Sequence, residues 1–103
     1  MKFVVIAVWD VGKAAEVSKL SDKVDAAPPP GYKVLARYVC LAAPFDGIPS
    51  GKGVTILNVE AESAEAIVAA VYPSMLAGVD INVVPVMEIP SGGVSEVEKK
   101  MRG

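Results

Sequence analysis

The sequence has no histidine, no glutamine, two asparagines (Asn58 and Asn82) and one cysteine, Cys40, and aromatic residues make up only 6% of it. Without histidine there are no Ser-His or Cys-His catalytic pairs, no His-bearing zinc sites and no His-ligated haem. A lone cysteine offers no intrachain disulfide and fits a reducing compartment. The scarcity of thermolabile amide side chains is a trait of proteins from hot-growing sources. Positive charge is also short. Ten Lys and Arg stand against twelve Asp and Glu, a net charge of -2, with no runs. Such a surface lacks a basic stripe for a phosphate backbone and a polybasic membrane anchor, so neither nucleic acid nor membrane is an expected partner. Long apolar runs are missing as well. The longest charge-free stretch, Ala66 to Val79, has 14 residues and contains Pro73, short of the roughly 18 needed to span a bilayer. The run Phe3 to Trp9 lacks a cleavage-like end and is not read as a signal peptide. A cytoplasmic location is the expectation.

What is present is apolar: 52% of 103 residues are hydrophobic and 21% charged. The chain reads as one domain over residues 1–103, with 91–103 as a C-terminal extension. A compact chain of this mass exposes roughly 5,500 Å² against about 15,500 Å² when extended. So much apolar composition on so small a domain predicts a homo-oligomer.

Phe3 to Trp9 is a continuous β-prone apolar run, which must be covered on both faces and reads as a central strand. Asp10 is placed to cap a helix whose Val17, Leu20 and Val24 form an apolar stripe, and Pro28-Pro29-Pro30-Gly31 stops it. Tyr32 to Leu41 forms a second strand, with Lys33, Leu35, Arg37 and Val39 on one face by period-two parity. Ala42 to Lys52 is a Pro- and Gly-containing loop, and Gly53 to Glu60 a third strand. Ser63 or a neighbour caps a second helix with a stripe of Ala64, Ile67, Val68 and Val71, broken or kinked at Pro73. Val79 to Ile89 is a fourth strand, which Pro85, with no N–H for a ladder, puts at an edge or makes bulge. After the Ser91-Gly92-Gly93 hinge, Val94, Val97 and Met101 predict a short helix that packs on something.

The order βαββαβ plus a helix predicts an α+β, ferredoxin-like two-layer sandwich with both helices on one sheet face. The other face is left bare although both parities of the first strand are apolar. Pairing that face with a copy of itself, as a dimeric α+β barrel, is the economical solution.

Specific segments carry a resemblance. Met1-Lys2-Phe3 with Trp9, Pro28 through Tyr38, Val59-Glu60, and Asp80 through Val86 resemble the dimeric α+β barrel superfamily, and within it a small uncharacterised prokaryotic domain family. The likeness covers most of residues 1–90 and implies the fold and a homodimer. The superfamily includes cofactor-free monooxygenases, lactone isomerases and stress-related proteins. In the family an aromatic followed by His often ends the second strand. Here the pair is Tyr38-Val39, so no role of that His carries over.

Gly47 to Gly53 resembles a phosphate-binding loop but is one residue short between its glycines, has Gly53 where Ser or Thr would reach magnesium, and precedes a strand. An ordinary surface loop is the better account. Cys40, between Val39 and Leu41, reads as a small hydrophobe rather than a nucleophile. Paired carboxylates at metal spacing are absent, so no metal or cofactor is predicted. The remaining polar set is Tyr38, Asn58, Glu60, Asp80, Asn82 and Glu88, with Trp9 and Arg37. If it faces the bare sheet surface, Trp9, Tyr38, Asn58 and Glu60 become the candidate ligand-binding residues, with Glu60 an acid or base if buried. The plainer reading puts Glu60, Asp80 and Glu88 in solvent at strand ends.

Three functions follow. The first is a homodimer that binds a small apolar or amphipathic molecule between its sheets. The second is a cofactor-independent monooxygenase or isomerase, and the third a structural protein with a closed dimer core. No catalytic residue is assigned.

Overall fold

The computed structural model describes residues 1–103. Four strands, β1 (Lys2–Asp10), β2 (Tyr32–Val39), β3 (Lys52–Ala61) and β4 (Asp80–Val86), form one antiparallel sheet in the order β2-β3-β1-β4. Three helices, α1 (Ala14–Ala26), α2 (Ala64–Leu76) and α3 (Val94–Arg102), complete this small α+β domain, consistent with a ferredoxin-like arrangement. No helix is long and apolar enough to cross a membrane.

The apolar run of β1 lies between β3 and β4, as its composition requires. On the helix side Val5 is paired with Leu57 and Val83, and Phe3 with Val59 and Pro85. Val5 and Val59 are completely enclosed, with Tyr32, Ala61 and Ile67 around them. Pro85 sits on the edge strand β4, where its missing N–H breaks no ladder. Ser63 caps α2 by accepting from the Ala66 amide at 3.2 Å. Gly31 adopts φ +77°, and a Cβ there would strike the Glu62 side chain. The open backbone lets the Gly31 carbonyl accept from the Glu62 amide at 2.9 Å.

Four local expectations change. Asp10 makes no capping bond; its carboxylate lies 2.6 Å from Lys52 Nζ, and a 3-10 turn over Val11–Lys13 leads into α1 instead. α2 is not broken at Pro73 but runs on to Leu76, and its last turn closes with the Ala77 amide donating to the Pro73 and Ser74 carbonyls. On α2 the buried residues are Ala66, Ile67 and Ala70, whereas Ala64 and Val68 are exposed.

The fourth change is a bulge. Val34 pairs with Val59 and Ala36 with Asn58, so Leu35 is an extra residue on β2. Parity therefore reverses: Lys33 lies on the open face with Glu60, while Arg37 and Val39 lie on the helix face with Leu57 and Thr55. The four residues expected to share a face do not share one.

Candidate functional site

Two surfaces could receive a partner or ligand, and the sheet separates them. The first lies under α1. Serine at 18 and 21 interrupts the apolar stripe of α1, and no α1 residue is fully buried. The helix therefore stands off the β2 side of the sheet. Beneath it is a cavity of about 70 Å³ with an apolar floor that includes Val5, Ala7, Leu57 and Ile81. It continues into an outer cleft of about 260 Å³ through Trp9, Val17, Ser21, Arg37 and Thr55, which line both. Together they approach the lower end of the ~300–1,000 Å³ range of small-molecule pockets.

The polar groups sit at the cleft mouth. Trp9 Nε1 donates to Thr55 Oγ1 at 3.0 Å. The two residues come from neighbouring positions on β1 and β3, where Ala7 pairs with Thr55 and Trp9 with Gly53. Arg37 reaches α1 and donates twice to Asp25, at 2.8 and 3.0 Å. This fork holds the Asp25 carboxyl below its ordinary range and the Arg37 guanidinium above its own. Burial raises the Tyr32 hydroxyl, whose ring helps to line the inner cavity. The cleft thus has an apolar floor, a flat indole and, at its rim, the Arg37 and Asp25 pair with Asp22 beside it, a composition suited to a small amphipathic molecule.

The second surface is the open sheet face. Val4, Ile6 and Val8 run along its centre, with Val84 and Ile56 as neighbours on β4 and β3. Asn58 and Asn82 flank this stripe opposite Val4 and Ile6, Asp80 lies opposite Val8, and Glu60 lies beyond the other end opposite Lys2. Tyr38 faces the same side, paired with Ile56.

Of the residues singled out from sequence, Tyr38, Asn58 and Glu60 therefore share the open face, all three exposed. Trp9 lies on the helix side, with Arg37, and is not brought together with them. Glu88 pairs with Lys2 at the sheet end. Thr55 and Ser21 escaped the sequence reading; Ser21, four residues beyond Val17, carries a signal in its helical spacing. Gly47 to Gly53 leads into β3, not a helix, and Cys40 is half-buried.

Residues 1–100 match the family described as a domain of unknown function, DUF3303. The chain belongs to that family. No curated protein matches it. The family description names no activity, so the chemistry must be argued from these two surfaces.

Proposed function

We propose that this DUF3303 chain is a ferredoxin-like homodimer, a dimeric α+β barrel of the cytoplasm, that binds a small amphipathic molecule in each cleft between α1 and the sheet. The observation that carries the ligand reading is the apolar cavity that opens past Trp9, Thr55 and Arg37. Its apolar floor favours a ring or short chain, and the N–H groups of Arg37 not used on Asp25 can donate to an acceptor at the rim.

Two quantities support self-association. The chain exposes 6967 Å², whereas roughly 5,500 Å² is usual for its mass. That excess is larger than the roughly 800 Å² per partner that a standard interface covers. The Val4, Ile6 and Val8 stripe supplies an apolar centre with an asparagine rim, the usual anatomy of an interface.

Trp9 is the only tryptophan, so its fluorescence reports directly on the cleft. Titration with anilinonaphthalene sulfonate should quench Trp9, and Ser21→Leu, which fills the mouth, should weaken binding at least about tenfold. Asn58→Ala and Glu60→Gln, on the far side of the sheet, should leave it unchanged. Loss of binding in those two variants but not in Ser21→Leu would move the ligand to between the sheets. Native mass spectrometry should give about twice the 10.7 kDa chain mass; a monomer at micromolar concentration overturns the dimer.

A further inference from the structure

Helix α3 presents Val94, Val97 and Met101 along one side, and Val94 and Met101 are 62% and 73% exposed. The radius of gyration is 15.5 Å and the longest extent 48 Å, where about 13 Å is usual for a radius of gyration at this length. A nine-residue helix with an uncovered apolar stripe has little stability alone. It needs a surface to lie on.

The outer side of α2 offers one. Val68 and Tyr72 are 55% and 53% exposed beside Ala69 and Pro73, forming a shallow apolar groove of about 560 Å³. Val68 and Tyr72 repeat the i, i+4 spacing of Val97 and Met101, and Glu65 lies one turn before Val68. Their charges are complementary. No Lys or Arg occurs between Lys52 and Lys99; α2 has Glu62 and Glu65 at its start, while Lys13 Nζ donates to the Ala77 carbonyl at its end at 3.1 Å. The last turn of α3 holds Lys99, Lys100 and Arg102, of which Lys99 and Arg102 lie beside Glu96 and Glu98 of the same helix, leaving a net positive end.

Antiparallel docking places those bases over Glu62 and Glu65 and opposes the two helix dipoles. The covalent path disfavours it within one chain. β4 ends beside Lys2, the end of the sheet where β3 leads into α2, so α3 and α2 start at the same end. The link from β4 to α3 is shortened by a turn in which the Gly93 amide donates to the Pro90 carbonyl at 2.9 Å. Packing in cis is thus parallel, with the bases carried away from Glu62 and Glu65. In a second copy the direction of α2 relative to α3 is not set by this link. Exposed Met87 and Ile89 continue the apolar path from Val84 and Val86 on the open face toward α3.

We propose that α3 is an exchange arm that lies antiparallel in the α2 groove of a second copy. This rests on the sheet-to-sheet dimer proposed above and adds a second, separable contact to it.

The test uses full-length chains with Cys40→Ser. One carries Ala69→Cys on α2 and the other Val97→Cys on α3. On mixing and mild oxidation, the mixed disulfide should exceed by at least about fivefold the disulfide that either variant forms with itself. A chain carrying both cysteines should link to another copy rather than within itself. Separately, Val97→Asp with Met101→Asp should raise the dimer dissociation constant at least tenfold. A closed disulfide within one chain, or no mixed disulfide in a protein that is still dimeric by mass, overturns the arm and leaves the sheet dimer standing. A wild-type chain that is monomeric by mass overturns both.

Discussion

The indole of Trp9 occupies the space that a side chain on Gly53 would need: a Cβ at Gly53 would lie under 3.0 Å from three ring atoms of Trp9. The two residues face each other across β1 and β3. Glycine at 53 thus lets the ring lie flat on the sheet and deliver its N–H to Thr55. The same ring forms a wall of the cleft.

Gly53→Ala should therefore push the ring into the cleft and break the bond to Thr55. The expected loss is about 1–3 kcal/mol by urea unfolding, the usual cost of overpacking. A blue or red shift of Trp9 emission should accompany it. Unchanged stability and emission would show that the ring is not held there.

The Arg37 and Asp25 pair predicts an acid limb. The Asp25 carboxyl titrates below its ordinary 3.8 in the folded chain, so the pair contributes stability above that value and loses it as pH falls through the folded value. Its side chains are 33% and 39% exposed, which limits the contribution to about 1 kcal/mol or less. Asp25→Asn should lower the urea midpoint at neutral pH, and its difference from wild type should narrow as pH falls below the ordinary 3.8. A constant difference across that range would assign the loss to something other than the charge pair.

The open sheet face predicts a separation of assembly from folding. Ile6→Glu puts a carboxylate in the middle of the Val4 and Val8 stripe and should give a monomer by native mass with native far-UV circular dichroism. An Ile6→Glu variant that stays dimeric would place the interface elsewhere.

Pro73 predicts a gain. It lies inside α2 and cannot donate to the carbonyl one turn back. Pro73→Ala restores that bond and should stabilise the chain by about 1 kcal/mol, since the added entropy of the unfolded chain offsets part of the helix gain. A loss of stability would mean that the ring's own contacts matter more than the missing bond.

The order of elements was legible because it depends on local rules. An apolar run set β1 in the sheet interior, Ser63 supplied a cap, prolines at 28–30 ended a helix, and Pro85 belonged to an edge. That Asn58 shares a face with Glu60, and Asp80 with Asn82, also followed from unbroken period-two parity in β3 and β4.

The cleft was not legible, for a physical reason that Leu35 illustrates. A bulge depends on how two strands register against each other, and one extra residue reversed the faces of Arg37, Tyr38 and Val39 with no change in composition. Trp9 separated from Tyr38, Asn58 and Glu60 because register put it on the side of Thr55. Local chemistry along the chain thus settled which segments are strands and helices and which positions are apolar. Pairing between distant strands, and the stand-off of α1, decided which of those positions meet in a cavity, because that depends on contacts no single segment contains.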